Sequence, residues 1–383
     1  MTDFGLSSEE IQFRDSVRAF VDREIAPNAT RWDIEERYPR EMFARAGALG
    51  WLAVGFPEAV GGSGGGPVMA AILNAELTRG SAAISLGLYV HSMLASAAIH
   101  HLGDSDQNAR LLPDALAGRR IGCWGYAEAD AGADITCVKT RARRDGEVYV
   151  LNGAKLYITS AEYAGIFVVW AVTDPTAPKG KGISCFLIEA GTPGMSIGKP
   201  EKKMGQTGSS TCEVRFDDCK LPADALMGKE NDGFRIAVSE LAGGRIGIAS
   251  LALGIARAAM DQAIAYVKER EQFGKKLAEM QGLQWMIADR ETDLEAARLL
   301  IAKAAHLKDS GQPFAQAASM AKLFASEAAQ RATYAALQMH GGAGYISDLP
   351  LERFARDARI TTIYEGTSEI QRLIIARNIL AAH

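Results

Sequence analysis

A carboxylate set between bulky apolar residues and a glycine can be made to take a proton, and one stretch of the 383-residue chain has that form. It runs from Ala358 to Arg372 and reads Ala-Arg-Ile-Thr-Thr-Ile-Tyr-Glu-Gly-Thr-Ser-Glu-Ile-Gln-Arg. Glu365 follows Ile363 and Tyr364 and precedes Gly366, whose missing Cβ lets backbone or ligand approach closely. Ser368 with Gln371 fits a capping box, and Ile370, Leu373, Ile374 and Arg377 continue at helical spacing. Glu365 is therefore expected on the apolar lip of a helix start. Desolvation there would raise its pKa and make it a proton acceptor. The local pattern alone fits an exposed loop glutamate equally well.

The elements that must position this carboxylate fall into three blocks. Over residues 7–118 the periodicity is helical: Ser8 precedes the stripe Ile11, Phe13, Val17, Phe20 and Val21, which is expected to break at Pro27. Residues 40–52 and 67–79 repeat the pattern, and residues 85–102 are apolar nearly all round, as a buried helix would be. From Ile121 short alternating runs take over. Asp145-Gly146 and Asn152-Gly153 each suit a two-residue hairpin, and further strands read at residues 166–173, 183–189 and 211–219. This spacing predicts an antiparallel barrel or sandwich. From Gly233 four Ala-rich helical segments, residues 234–271, 280–310, 313–340 and 368–381, predict an antiparallel four-helix bundle. The expected fold is thus multidomain α+β: an N-terminal all-α domain (1–120), a middle β-domain (121–228) and a C-terminal bundle (229–383).

Composition narrows the partners. A net charge of −4 and a pI near 6.0 leave no electrostatic footprint for nucleic acid. Cys123, Cys137, Cys185, Cys212 and Cys219 form no Cys-x-x-Cys pair, which argues against a disulfide framework and a zinc site and for reduced thiols; no metal is expected. The run from Ile246 to Ala256 is bounded by Arg245 and Arg257 and is short of a membrane span. The first ten residues lack the pattern of a signal or transit peptide, so a cytoplasmic protein is expected. Gly61 to Gly66 is glycine-rich but has neither a preceding strand nor a following Gly-Lys-Ser/Thr, so it reads as a flexible turn and not a phosphate loop. His91, His100 and His101 have no ligand spacing and read as packed or capping side chains.

The stretch Ile363 to Arg372 resembles the C-terminal motif of the acyl-CoA dehydrogenases, flavoproteins that oxidise an acyl-CoA to its trans-2-enoyl form. Matches in the same order cover nearly the whole chain, and they are nearest to the short-chain and branched-chain members. The resemblance implies FAD as cofactor and Glu365 as the catalytic base, removing the pro-R α-proton while hydride leaves the β-carbon for flavin N5. It also implies that the thioester carbonyl accepts hydrogen bonds from the Glu365 amide and the flavin ribityl 2′-hydroxyl.

Residues Trp124 to Asp134 are similar to the family's first signature: Glu128, Gly132 and Asp134 are retained, while Ala127, Ala129 and Ala133 replace the usual Thr, Pro and Ser. Trp124, Tyr126, Ala127 and Ala133 would meet the flavin, Ala133 also the substrate. Lys155 to Thr159 resembles the family's Lys-x-Trp-Ile-Thr strand with Tyr157 for Trp. Tyr157 would pack on the isoalloxazine, beside Ile158, and Thr159 would donate to N5; strand alternation puts Tyr157 and Thr159 on one face. Without its neighbours this segment fits a strand chosen for propensity alone.

Ala242 to Ala249 resembles the run that contacts CoA, implicating Gly244 and Arg245, with Tyr364 and Gly366 also on the substrate side. Arg245 could pair with a phosphate or hold helix packing. Some members carry their catalytic glutamate just before this arginine; here the residue is Gly244, which leaves Glu365 as the only motif-matched base. Arg270, Phe273 and Gln281, and then Gln338, Gly341 and Gly342, resemble segments that reach the FAD pyrophosphate and adenine across a subunit boundary. Thr367 and Glu369 would finish the adenosine contacts. The implied partners are an acyl-CoA substrate, an electron-transfer flavoprotein and further copies of the chain in a homotetramer. The alternatives are an acyl-CoA oxidase or flavin monooxygenase of the same fold, and a flavin-binding relative without dehydrogenase activity.

Overall fold

In the computed structural model, which describes residues 5–382, helices come first: α1 (Ser8–Phe20), α2 (Ala26–Ile34), α3 (Glu41–Ala48), α4 (Gly66–Gly80), α5 (Ala82–Tyr89), α6 (Ala97–Leu102) and α7 (Ser105–Leu116). Residues 1–4 of the N-terminal stretch lie outside the described residues. α1 is capped by Ser7, which exchanges hydrogen bonds with Glu10 in a capping box. The expected break at Pro27 does not occur. A π-turn, Val21–Ile25, leads straight into α2, and Pro27 sits in the first turn of α2, directly after the π-turn.

α5 and α6 are joined by a second π-turn, Val90–Ser96, into one helix. By length and composition this 21-residue helix could cross a membrane, but it is buried in the protein. The π-turn carries His91, whose Nε2 donates to the Ala115 carbonyl (2.9 Å) while Nδ1 accepts from the Gly122 amide (2.8 Å). Burial drops its pKa to about 4, so the ring is neutral and acts as a tie between the buried helix and the first strand.

The middle block is one sheet: β1 (Gly122–Gly125), β2 (Arg141–Asp145), β3 (Val148–Thr159), β4 (Ile166–Val172), β5 (Ile183–Glu189), β6 (Met195–Ile197), β7 (Thr211–Pro222) and β8 (Leu226–Met227). The order is β6-β7-β3-β2-β4-β5-β8, with β1 added on β4. Most pairs are antiparallel, but β1 runs parallel to β4, and β2 meets β4 in parallel at Arg141 and Val172, so the sheet is mixed and not purely antiparallel. The β4 side chains alternate as strand geometry requires. Ile166, Val168 and Trp170 pack toward the helices of the first block, whereas Phe167, Val169 and Ala171 fill a second core on the other face.

The expected hairpin forms between β2 and β3, but its two-residue loop is Gly146-Glu147, because Asp145 still pairs with Val148 as the last residue of β2. Asn152-Gly153 does not make a hairpin. β3 continues through it with a bulge, Gly153 at φ +147° pressing so close to Thr140 that a Cβ would lie 2.6 Å from its hydroxyl.

The last block holds α8 (Gly233–Glu269), the hairpin β9 (Glu271–Gln272) and β10 (Lys275–Lys276), α9 (Gln281–Asp309), α10 (Ala315–His340), the short α11 (Gly342–Tyr345), α12 (Leu351–Arg359) and α13 (Ser368–Ala382). The four long helices match the four segments read from the sequence. α10 buries Ala318, Ala321, Ala325, Ala329 and Ala332 in the core that it shares with α8, side chains small enough to let backbones approach closely. α8 also docks on the first block: a Cβ on Gly254 would fall 2.3 Å from the Ala75 carbonyl of α4.

Candidate active site

Glu365 lies in the turn between α12 and α13, with φ +54°, a left-handed conformation uncommon outside glycine, followed by Gly366 at φ +88°. Two buried side chains hold this turn. Lys322 of α10 donates from Nζ to the Gly366 carbonyl (2.8 Å), and Gln371 donates from Nε2 to the carbonyls of Gly366 (2.9 Å) and Glu365 (3.2 Å). The expected Ser368–Gln371 capping box is therefore not what starts α13. Thr367 Oγ1 accepts from the Ile370 amide (3.4 Å), and Gln371 reaches back to the turn instead.

The Glu365 carboxylate is desolvated. Its Oε2 is sealed from solvent and has no hydrogen-bond partner. Burial raises its pKa to about 7 against the opposing pull of Arg245 and Lys322. Those cations feel the same low-dielectric surroundings: burial lowers the Lys322 pKa to about 8 and lowers that of Arg245, with Glu365 favouring the charged form of both.

α8 passes directly under the carboxylate at Gly244, where a Cβ would lie 2.6 Å from Oε2, so no side chain can share this position with the base as it stands. Arg245 is buried, with Nη1 3.5 Å from Ser319 Oγ of α10, and this placement supports packing and local charge instead of a phosphate contact. Tyr364 packs beside the base, and Gln206 donates weakly to its hydroxyl (3.4 Å). Gln206 also binds Asp357 through both its amides, which ties the loop between β6 and β7 to α12 next to the site.

The first signature and the Lys155 strand meet through an ion pair that their sequences do not announce. The fully buried Lys155 donates from Nζ to Glu128 Oε1 (2.6 Å) and to the Tyr126 carbonyl (3.2 Å), and Glu128 also accepts from the amides of Lys139 (2.6 Å) and Thr140 (3.1 Å). Burial lowers the Lys155 pKa to about 8 even with Glu128 holding it up. The Leu156 amide then bonds the Ala127 carbonyl (2.8 Å) and lays the loop along β3.

A second bulge, between Lys155 and Ile158, removes the strict alternation expected of Tyr157 and Thr159. Tyr157 takes φ +61° and turns outward, 67% exposed, while the Ile158 side chain is buried and Thr159 is half-buried. Trp124 packs on Trp170 with ring centroids 4.2 Å apart. Tyr126 is buried with its hydroxyl donating to the Ile135 carbonyl (2.6 Å), so its side chain serves the core. Ala133 is exposed on the loop.

The remaining candidates sit elsewhere. Arg270, Phe273 and Gln281 are exposed at the α8–α9 connection, and Gln338, Gly341 and Gly342 are exposed at the end of α10; the stacking of Tyr266 on His340 (4.3 Å) joins the two groups. From Lys322 to Gln338 is sixteen residues of α10, roughly 24 Å at 1.5 Å per residue, so this cluster lies at the opposite end of the helix from Glu365. Thr367 and the exposed Glu369 open α13 near the Arg372–Glu327 ion pair (2.6 Å).

Sequence reasoning did not find Lys322, Gln371 in its actual role, Gln206 or Tyr89, whose hydroxyl donates to the Gly244 carbonyl (2.7 Å). The one available signal was a lysine on a face otherwise made of alanines, Ala318, Ala325 and Ala329 among them.

Comparison with known proteins places this arrangement. The family descriptions "Acyl-CoA dehydrogenase, N-terminal domain", "middle domain" and "C-terminal domain" match residues 7–119, 123–219 and 231–380. The chain is 44% identical over 378 residues to the short-chain specific acyl-CoA dehydrogenase of Clostridium acetobutylicum, covering 98% of this chain and 99% of that one. It is 45% identical over 381 residues to the acryloyl-CoA reductase (NADH) of Anaerotignum propionicum, covering 99% and 96%. The solved butyryl-CoA dehydrogenase of Megasphaera elsdenii superposes with a TM-score of 0.96 at 38% identity, covering 99% of this chain and 100% of its own. With all three domain types matched in order across its length, the chain belongs to the acyl-CoA dehydrogenase family.

Proposed function

We propose that this protein oxidises the saturated Cα–Cβ bond of an acyl-CoA thioester to trans-2-enoyl-CoA, with FAD as its flavin and Glu365 as the base. The observation that carries this reading is the Glu365 carboxylate itself: one oxygen sealed and unpartnered above Gly244, in a turn fixed by Lys322 and Gln371. A group so desolvated, with a pKa near 7, is a far better acceptor of a carbon-bound proton than an ordinary glutamate.

The residues present fit a flavin dinucleotide. Tyr157 offers an exposed ring on a bulge beside the Ala127 loop, as a flat ligand requires. Gly341 and Gly342 leave open space where a Cβ would stand, and Arg270, Gln281 and Gln338 supply donors suited to a pyrophosphate. When bound, the flavin supplies the two-electron oxidation by taking the β-hydrogen as hydride.

The protein's own part is proton transfer and orientation. Glu365 takes the α-proton, and Arg245 and Lys322 keep it ionised and ready against the pull of burial. The thioester oxygen gathers charge as the proton leaves, and the Glu365 N–H, which has no acceptor among the described residues, is the donor for it. The left-handed φ of Glu365 and the bonds to the Gly366 carbonyl fix base and amide together on one rigid turn.

The exposed Arg270–Gln338 end, 24 Å or so along α10 from Lys322, serves the cofactor of a neighbouring copy in a homotetramer. Phe273 at 94% exposure and the outward Tyr345 and Trp285 support burial of this end against another subunit. Electrons then pass to an electron-transfer flavoprotein, and the five unpaired cysteines suit a cytoplasmic setting.

The test is an anaerobic titration of the purified yellow protein with butyryl-, isobutyryl- and octanoyl-CoA, following the visible flavin band. Bleaching is expected. Protein that holds FAD and is bleached by no acyl-CoA contradicts the reading and favours a flavin-binding relative without this activity. Bleaching followed by rapid recovery in air would instead favour an oxidase.

A further inference from the structure

We propose that Tyr89 is a specificity-determining wall between the Glu365 site and an apolar cavity behind it, restricting the acyl group to short chains. This rests on the acyl-CoA reading above.

The cavity, about 150 Å³, lies among α4, the α5–α6 helix and α8, and its apolar lining includes Leu52, Phe56, Leu73, Leu77, Leu88 and Met93. A cavity of this size and character can hold a group as large as benzene. Tyr89 lines it from the end of α5, together with Gly243 and Gly247 of α8.

Three distances put the Tyr89 ring between this space and the base. Its hydroxyl donates to the Gly244 carbonyl (2.7 Å). A Cβ on Gly247 would fall 2.0 Å from its Cε2, so the ring occupies the room that a side chain would otherwise take on α8. A Cβ on Gly244 would stand 2.6 Å from Glu365 Oε2 and 3.2 Å from the Tyr89 hydroxyl, so phenol and carboxylate converge on one glycine. The ring is buried and cannot swing freely to solvent. α8 is pinned as well, because Asn74 donates to the Gly247 carbonyl while Ser85 of α5 donates to the Asn74 carbonyl (3.1 Å).

An acyl chain whose reacting carbons lie at Glu365 therefore meets the phenol before it meets the cavity. Each methylene admitted beyond the ring would tighten binding roughly fourfold.

The experiment compares anaerobic flavin bleaching, as rate constant over half-saturating concentration, for butyryl-, hexanoyl- and octanoyl-CoA. It uses FAD-loaded wild type, Tyr89→Phe, Tyr89→Leu, Tyr89→Ala, and Tyr89→Ala combined with Ala71→Leu, which refills the cavity lining. In wild type the value should fall from butyryl to octanoyl. Tyr89→Phe should keep that profile. Tyr89→Ala should raise the octanoyl-to-butyryl ratio at least tenfold, Tyr89→Leu less, and Ala71→Leu should reverse the gain. Wild type that already prefers octanoyl-CoA overturns the proposal. So does a flavin-holding Ala or Leu variant with the wild-type ratio; if Tyr89→Ala loses its flavin, Tyr89→Leu decides. Wild type bleached by no acyl-CoA refutes the underlying reading, and does so before any variant is made.

Discussion

The two ends of α10 carry opposite kinds of site. At Lys322 of α10 the surroundings are closed: Arg245 of α8, Glu365 and Tyr364 of the α12–α13 turn and Gln371 of α13 come from one chain, Lys322, Arg245 and Gln371 are buried, and the partly buried Glu365 has its Oε2 sealed from solvent. At Gln338 the candidate side chains are open, with Phe273, Gln281, Gly341 and Gly342 exposed and strained backbone at Phe273 (φ +53°) left facing solvent. A desolvated base must be built within a rigid fold, because burial is what raises its pKa, against the pull of the neighbouring cations. On the proposed homotetramer, a surface that only grips a cofactor can be left for another copy to complete.

Breaking the closed end should have the largest effects. Gly244→Ala places a Cβ 2.6 Å from Glu365 Oε2; the carboxylate end must move, and a displacement near 1 Å is expected to cost about a hundredfold in bleaching rate while flavin content stays unchanged. Lys322→Met removes a cation and the bond to the Gly366 carbonyl. Because Lys322 pulls the Glu365 pKa down, its loss should push that pKa above about 7. The acid limb of the pH–rate profile should shift to higher pH, with roughly tenfold lost near pH 7 and most of it recovered near pH 9.

The same group sets a sign for stability. A folded-state pKa of about 7 lies above the ordinary glutamate value of 4.5, so the unfolded chain releases this proton first and the Glu365 contribution to stability falls as pH rises from about 4.5 to about 7. Glu365→Gln should flatten that part of a melting-temperature profile.

Glu128→Gln leaves Lys155 buried with only the Tyr126 carbonyl and a neutral amide, and is expected to destabilise the protein by about 3 kcal/mol and weaken flavin retention, readable by thermal melts and the visible band. The smallest effect on the closed end comes from the open one. If the proposed homotetramer buries this end, Phe273→Asp should leave the fold of one chain intact but lower the oligomeric state by light scattering and loosen the flavin.

What the sequence disclosed follows a physical division. Glu365 and its helix were legible because apolar spacing, Gly366 and the family motif coincide in ten residues. The three blocks were legible from periodicity. The bulge at Tyr157 was not, because a left-handed φ there carries no glycine to mark it. The helix runs on past Pro27 through a π-turn that ends just before it, a local irregularity that apolar spacing does not encode. The parallel pairing of β1 on β4 joins segments some forty residues apart, which no local pattern encodes. Lys322 and Gln371 act through carbonyls brought close only by the α10–α13 packing, so their roles are properties of the fold.

The most direct test of Glu365 as base is Glu365→Gln in FAD-loaded protein, mixed anaerobically with an acyl-CoA that bleaches wild type. The amide keeps the shape and removes the proton acceptor. Binding, read from the spectral perturbation of the oxidised flavin, should persist while bleaching slows by at least about a thousandfold. A variant that binds and bleaches at near the wild-type rate would show that another group takes the α-proton.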